Sequence, residues 1–167
     1  SSTVYPIRIA DAAKGSTAMT DDLSVACAMF KVFTSGARIV NLSYGGPYYG
    51  FHNPVIHGPL HKIFMEYYYA RQGLIFLSAG NDAIFDGTPN CPYINMVSAI
   101  DSSGNLADFS NYGTIVDFTA PGKGIVVTDI DGLDATVNGT SFSCPIVAAV
   151  ASLILSKNPA LPNVAVE

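Results

Sequence analysis

The sequence predicts an α/β domain built on a parallel sheet, and three observations support this. Short, continuously apolar segments such as 74–78 alternate with segments of helical periodicity, in the order βαβαβ, then a strand-rich region and a final helix. The apolar segments lack a polar face, as is typical of strands covered by helices on both sides. Hydrophobic residues make up 49% of the chain and charged residues only 13%, so much of it must be buried.

The first quarter of the chain is predicted to hold two strands and a helix. Residues 4–10 alternate with β-branched side chains and predict a strand. Asp21 or Asp22 is a candidate N-cap for a helix whose apolar residues recur at helical spacing until the Ser-Gly pair at 35–36. Residues 38–43 predict the second strand.

The remaining elements continue the alternation, and they place functional residues at one edge of the sheet. In open α/β sheets, ligands bind outside the carboxyl ends of the strands. The predicted elements are a helix from about residue 60 to 72, strands at 74–78, 96–100, 116–119 and 125–128, an apolar helix from Ser141, and a further helix start at 161–163.

Charge and composition exclude several classes of partner. The net charge is −5 with only 8 Lys and Arg residues, which leaves no basic surface for nucleic acid or an anionic membrane. The longest apolar segment, 146–155, is too short to span a bilayer, so no membrane span is predicted. Residues 1–10 lack the features of a secretory signal. A peptide or protein is the expected partner.

The three cysteines have no spacing that suggests a metal site or a redox motif. Cys27, Cys91 and Cys144 include no Cys-x-x-Cys pair and no adjacent histidine. We expect all three to be small buried hydrophobic residues.

The segment 138–145, Asn-Gly-Thr-Ser-Phe-Ser-Cys-Pro, precedes the final apolar helix. Gly139 removes a side chain where another backbone can approach, and Ser141 lies at the positive end of the helix dipole with its N–H free to bind an anion. Pro145 is expected in the first helical turn, where its missing N–H would have no partner. Taken alone, the segment would be interpreted as a helix-capping sequence.

Three more segments have unusual ends. Residues 74–82 form an apolar strand followed by small residues and Asn81, which alone would be a cap or turn residue. Residues 39–46 form a strand that ends in a glycine turn. Residues 107–122 contain a serine-rich loop, a strand and an Ala-Pro-Gly turn, and we interpret them as structural.

These four segments, in this order, resemble the subtilisin-like serine proteases, the subtilases, over nearly the whole chain. The resemblance implies a parallel-sheet, three-layer α/β sandwich and a serine endopeptidase activity. It implies that Ser141 is the nucleophile and that Asn81, with the N–H of Ser141, forms the oxyanion hole. The residues implied in substrate binding are Ser43, Tyr44, Gly45, Ala79, Gly80, Asn138, Gly139 and Thr140.

Two members of the family's catalytic triad are not visible. The triad runs in the order Asp, His, Ser, and the aspartate and histidine motifs are expected upstream of Ser1. Asp101 and the histidines at 57 and 61 are rejected as substitutes, because they lie between segments already matched to other parts of the site. We therefore expect residues 1–167 to be a partial catalytic domain, truncated at both ends, without its N-terminal strands and inactive alone.

Other expectations follow from the resemblance. Phe142 and Ile146 replace residues that are common in the family, which leaves substrate preference open. No metal is predicted, although calcium is possible in a complete domain. The exposed sheet edge should take the missing N-terminal half or a second copy of the chain, and the location should be secreted or extracytoplasmic. The alternatives are a non-catalytic pseudoprotease or binding module and, less favoured, an α/β-hydrolase esterase, whose Gly-x-Ser-x-Gly motif is absent.

Overall fold

The centre of the structure, a computed structural model that describes residues 3–9, 22–44 and 60–167, is a four-stranded parallel sheet. Its strands are β1 (Ile39–Leu42), β2 (Leu74–Ser78), β4 (Asn95–Ile100) and β6 (Phe118–Pro121), in that spatial order. The helices are α1 (Asp22–Ser35), α2 (His61–Arg71) and α3 (Thr140–Lys157), followed by one 3₁₀ turn at Asn163–Ala165. Two small two-stranded ribbons complete it, β3 (Phe85–Asp86) with β5 (Tyr112–Gly113), and β7 (Ile125–Thr128) with β8 (Asp134–Val137).

The sheet is covered by helices, as the apolar strands predicted. All five residues of β2 are buried, which requires cover on both faces. Helix α3 packs against all four strands, α2 packs against β2, and α1 packs against α2. The predicted parallel α/β fold is therefore confirmed.

Helix α1 has one buried face, and the position of Cys27 relative to that face determines its exposure to solvent. Val25, Met29 and Val32 are buried at helical spacing. Cys27 points away from that face and is exposed, so the prediction that all three cysteines are buried is wrong for this one. Cys91 and Cys144 are buried, as predicted.

The N-terminal strand prediction is also wrong within the described residues. Residues 4–9 have no regular secondary structure, and residue 10 lies outside the described ranges. A strand needs a neighbour to satisfy its backbone, and no described strand pairs with this segment. The alternation of side chains is present in the sequence, but it cannot show whether a neighbouring strand is available for pairing.

Two other boundaries differ from the sequence prediction. The strand expected at 116–119 is found at Phe118–Pro121. Beside its start, the N–H of Asp117 donates to the carbonyl of Met96 at 3.0 Å, and the carboxylate of Asp117 accepts the N–H of Met96 at 2.7 Å. The helix start expected at 161–163 is a single 3₁₀ turn. The ribbons β3–β5 and β7–β8 place short strands where none, apart from β7, was predicted.

Helix α3 is apolar over most of its length, but only one of its faces is buried. It is long and apolar enough to cross a membrane by length and composition alone, with a mean hydropathy of 1.5 over 18 residues, a test that the core helix of a soluble protein also passes. Small residues such as Cys144, Ala148 and Ala151 face the sheet. The opposite face exposes Ile146, Val150, Leu153 and Ile154.

Candidate active site

The carboxyl ends of the strands and the start of α3 bring most of the sequence-predicted residues together. Ser43 follows β1, Asn81 lies three residues beyond β2, and Ser141 is the second residue of α3. Hydrogen bonds connect each of the two loops to the helix start. Gly45 lies outside the described residues. Tyr44 is half-buried beside the hydrophobic core.

Ser43 compensates for the proline in α3. The helix begins at Thr140, so Pro145 lies in its second turn, and the expectation that it sits in the first turn is wrong. At this position the missing N–H would have bonded to the carbonyl of Ser141, four residues back. The hydroxyl of Ser43 donates to that carbonyl at 2.8 Å instead. Strand β1 is therefore tied directly to the main chain of Ser141.

The side chain of Asn81 has a fixed orientation. Its Oδ1 accepts hydrogen bonds from the main-chain N–H of Thr140 at 2.9 Å and from the Thr140 hydroxyl at 3.0 Å. Because an N–H can only donate, the atom that faces it must be the amide oxygen. The Nδ2 group then points the other way and donates to none of the described residues.

Thr140 holds both loops at once. It is fully buried, and its hydroxyl oxygen also accepts the N–H of Gly80 at 3.1 Å. A residue predicted to bind substrate is thus shown to join the loop after β2 to the start of α3. Its side chain forms hydrogen bonds with Gly80 and Asn81 and is not exposed to solvent.

Gly139 and Gly122 allow the loop before α3 to pass close to its neighbours. Gly139 has φ 154, which side chains rarely adopt, and a Cβ there would lie 3.5 Å from Nδ2 of Asn81. Its N–H donates to the carbonyl of Gly122 at 2.8 Å. A Cβ on Gly122 would lie 2.2 Å from Oγ of Ser143, so only glycine fits. Gly122, directly after β6, is thereby joined to the loop that precedes α3.

Asn138 is occupied in the loop before α3. Its Oδ1 accepts the N–H of Gly124 at 2.7 Å, which closes the base of the β7–β8 ribbon. Its side chain is exposed, so its predicted contact with substrate stays a prediction. The predicted contact of Ala79 with substrate also stays a prediction; this residue directly follows β2 and is buried.

Cys144 is a neutral neighbour of the site. It is fully buried under the end of β1, and burial raises the pKa of its thiol to about 12. The Leu42 backbone and the Ser43 side chain, which lie near the sulfur, act in the opposite direction and only partly offset this effect. At neutral pH the thiol therefore stays protonated, and it lacks the reactivity of a thiolate.

The residues rejected as triad members have other roles. Oδ1 of Asp101 accepts the N–H groups of Ser103 and Asn105 and so closes its own turn. His61 begins α2, and its ring lies edge-on against Tyr93, whose hydroxyl bonds to it. His57 lies outside the described residues. Among the residues that the structure describes, no group of three or more His, Cys, Asp or Glu side chains could hold a metal ion.

One polar residue near the site was interpreted from sequence as structural only. Asn111 is 4% exposed, and its side chain bonds to the loop that carries Asn81. The sequence signal was weak, since an asparagine before Tyr-Gly is common in turns. The partners of Asn111 are about thirty residues away in the chain, so its role is visible only in the structure.

The arrangement can bind a developing negative charge. As the second residue of α3, Ser141 has a main-chain N–H without an intrahelical partner, at the positive end of the helix dipole. The Nδ2 of Asn81 is a second donor, held beside Gly139. A parallel α/β sheet with a serine at a helix start on its carboxyl edge is an arrangement that some serine hydrolases use.

The chain belongs to the subtilase family of serine peptidases. The family model, Peptidase_S8, matches residues 1–167. The chain is 32% identical over 145 residues to the thermophilic serine proteinase of Bacillus sp. strain AK1, covering 86% of this chain and 33% of that protein. It is 29% identical over 166 residues to the cell wall-associated protease of Bacillus subtilis strain 168, covering 98% of this chain and 17% of that protein.

A solved structure gives the same relationship. The prenylagaramide maturation protease PagA superposes with a TM-score of 0.71 at 29% identity, covering 86% of this chain and 54% of that one. The chain thus spans about half, or less, of the length of the proteins it matches.

Proposed function

We propose that this chain supplies the nucleophile and the oxyanion hole of a serine endopeptidase. The observation that carries the proposal is the orientation of Asn81, whose oxygen is held by Thr140 so that its Nδ2 remains available beside the start of α3. Two donors that have no partner among the described residues lie next to a serine, and they suit a reaction in which negative charge develops on an oxygen.

In the proposed reaction, Oγ of Ser141 attacks the carbonyl carbon of a peptide bond and gives its proton to a histidine base. The carbonyl oxygen becomes an oxyanion, which accepts hydrogen bonds from Asn81 Nδ2 and the Ser141 N–H. The C–N bond breaks, the histidine returns the proton to the leaving amine, and an acyl ester remains on Ser141. Water then hydrolyses the ester.

The substrate is proposed to bind as an extended peptide along the ends of the first two strands. Ser43, Tyr44 and Gly45 would line one side, and Ala79 and Gly80 the other, with Gly139 leaving space for the substrate backbone. The support is that β1 and β2 end at the edge where Ser141 lies.

The histidine and aspartate are proposed to come from a part of the protein not contained in this sequence. Two surfaces would receive that part. One is the outer edge of β1, which pairs with no strand among residues 3–9, 22–44 and 60–167. The other is the exposed apolar face of α3, where Val150 and Leu153 are more than half exposed. A second copy of the chain is the alternative occupant.

An extracytoplasmic location is proposed with this activity. It is supported by one relative that is named a cell wall-associated protease. A non-catalytic pseudoprotease with the same fold remains the second candidate, and the preceding sequence separates the two. An aspartate before Ser/Thr-Gly, followed by a His-Gly-Thr segment, would support the enzyme, and their replacement would support a binding module.

The experiment is labelling of the full-length protein with a fluorophosphonate probe at its pH of activity. We expect covalent labelling at Ser141, identified by peptide mass spectrometry, and none in a Ser141→Ala variant. Residues 1–167 alone should label at least about 10³-fold more slowly, because they lack the base. Absence of labelling in the full-length protein would contradict the proposal.

A further inference from the structure

Every hydrogen-bonding group of the Asn111 side chain is directed at one loop. Oδ1 accepts the main-chain N–H groups of Asp82 at 2.9 Å and Ile84 at 3.1 Å. Nδ2 donates to the carbonyl of Ala79 at 3.0 Å and to a carboxylate oxygen of Asp82 at 3.4 Å. The main-chain N–H of Asn111 donates to the carbonyl of Gly80 at 3.0 Å.

These partners surround Asn81 on both sides in sequence. The segment 79–84, which we name the oxyanion loop, leaves the end of β2, and its middle residues belong to no strand. Ala83 within it has φ 55, a left-handed conformation that costs free energy for alanine. Such a conformation persists only where neighbouring groups fix it, and here the N–H of Ala83 also donates to the carbonyl of Phe109 at 2.9 Å.

We propose that Asn111 is a positioning residue for oxyanion binding. It fixes the backbone of the oxyanion loop, while Thr140 fixes the side-chain torsion of Asn81, and both are needed to aim Nδ2. This inference rests on the proposed function, and it assigns a role to a residue that does not touch substrate. Catalytic donors must be held to within a fraction of an ångström, and a 1 Å misplacement costs about 10²-fold in rate.

Asparagine suits this position because it offers two donors and a two-fold acceptor on one short side chain. Aspartate would keep both acceptor bonds but lose the bond to the carbonyl of Ala79. It would also bring a second carboxylate next to Asp82, which Nδ2 of Asn111 approaches to 3.4 Å. Alanine would leave two N–H groups and one carbonyl of the loop without partners.

The test compares Asn111→Ala with Asn163→Ala in the full-length protein, by steady-state kinetics and thermal unfolding. Asn163 is a matched control, because it is 1% exposed and its Nδ2 donates to two carbonyls, those of Tyr68 and Gly73. We expect both variants to lower Tm. Only Asn111→Ala should lower kcat, by roughly 10- to 100-fold with KM within about twofold.

A double-mutant cycle separates positioning from a general loss of structure. In an Asn81→Ala background there is no Nδ2 to aim, so adding Asn111→Ala should lower kcat by less than about threefold more. An equal loss in both backgrounds, or an equal kcat loss in Asn163→Ala, would overturn the inference. If Asn81→Ala itself leaves kcat unchanged, the proposed oxyanion hole is wrong, which is a different result.

Asn111→Asp keeps the inference testable if the alanine variant does not fold. Burial and the carboxylate of Asp82 favour the protonated form of the new carboxyl, whereas the N–H groups of Asp82 and Ile84 favour the ionised form. Once protonated at low pH, the carboxyl regains an O–H that can donate to the carbonyl of Ala79. The ratio of its kcat to that of the parent should therefore rise as pH falls, while the ratio for Asn163→Asp stays flat. A flat ratio for both variants would count against positioning.

Discussion

The two ends of the sheet use the same device with different results. At the carboxyl end, Asn111 and Thr140 bond to the loops around Asn81. At the other end, the side chain of Asn163 bonds to the carbonyls of Tyr68 and Gly73. Both regions rely on buried polar side chains that satisfy the main chain of a neighbouring loop.

The difference lies in what is left without a partner. Near Asn163, Arg38 adds donors to three carbonyls, those of Gln72, Pro159 and Leu161, and joins the ends of α2 and α3. At the carboxyl end, the same kind of network leaves the Nδ2 of Asn81 without a described partner. Among the described residues, the side chains of Asn163 and Arg38 use their donors on main-chain carbonyls and hold the chain together. The Nδ2 of Asn81 is not used in this way and could bind a negative charge.

Replacing Arg38 should cause a large loss of stability without a loss of catalytic rate. Arg38→Ala removes donors from three carbonyls, so we expect a loss of roughly 2–3 kcal/mol in the free energy of unfolding, with kcat unchanged for the protein that remains folded. Denaturant unfolding and active-site titration of the full-length protein measure the two effects.

Arg71→Ala is the control for that change. Arg71 ends α2, and its guanidinium lies 5.7 Å from the centre of the Phe33 ring. An exposed contact of this kind contributes about 0.5–1 kcal/mol. If Arg38→Ala is no more destabilising than Arg71→Ala, the carbonyl contacts at this end do not hold the helix ends together.

Ser43→Ala tests the connection between β1 and Ser141 and should have a smaller effect. The variant leaves the carbonyl of Ser141 without a donor, because Pro145 cannot replace it. We expect kcat to fall by about 3- to 30-fold, since one hydrogen bond contributes about 1 kcal/mol and the serine becomes less well placed. Ser43→Thr keeps the hydroxyl and should recover most of the rate. Equal rates for both variants would contradict this role.

The fold was predictable from the sequence because its signals are local. Apolar strands and helical spacing gave the order of elements, and residues 125–128 were predicted with the observed bounds. The strand prediction for residues 4–9 was wrong because an alternating pattern does not reveal whether a neighbouring strand is present. Strands β3, β5 and β8 were not predicted, because β3 and β5 have only two residues each and β8 has no continuous apolar pattern.

The site was predictable in its residues but not in its connections. Motif order gave Ser141, Asn81 and Ser43, and the structure brings their loops together. The hydrogen bond from Ser43 to Ser141 joins residues 98 positions apart in the sequence. It satisfies a carbonyl to which Pro145 cannot donate, and this could not be predicted while the start of α3 was placed one residue too late. Asn111 looked like a turn residue because its partners are far away in the chain.

The smallest predicted effect concerns the cysteines, which differ between the surface and the site. The thiolate is the reactive form, and Cys144 has its pKa raised from 9.0 to about 12 by burial. At pH 8 only about one thiol in 10⁴ would be ionised at that pKa, and no solvent reaches the sulfur. Burial also raises the pKa of Cys91. Cys27 lies exposed on α1.

We therefore expect iodoacetamide at pH 8 to modify Cys27 in native protein and to leave Cys91 and Cys144 unmodified until the protein is unfolded. Peptide mass spectrometry with and without denaturant measures each site. Native labelling of Cys144 at a rate close to that of Cys27 would mean that the end of β1 opens and that Ser43 does not hold it against α3.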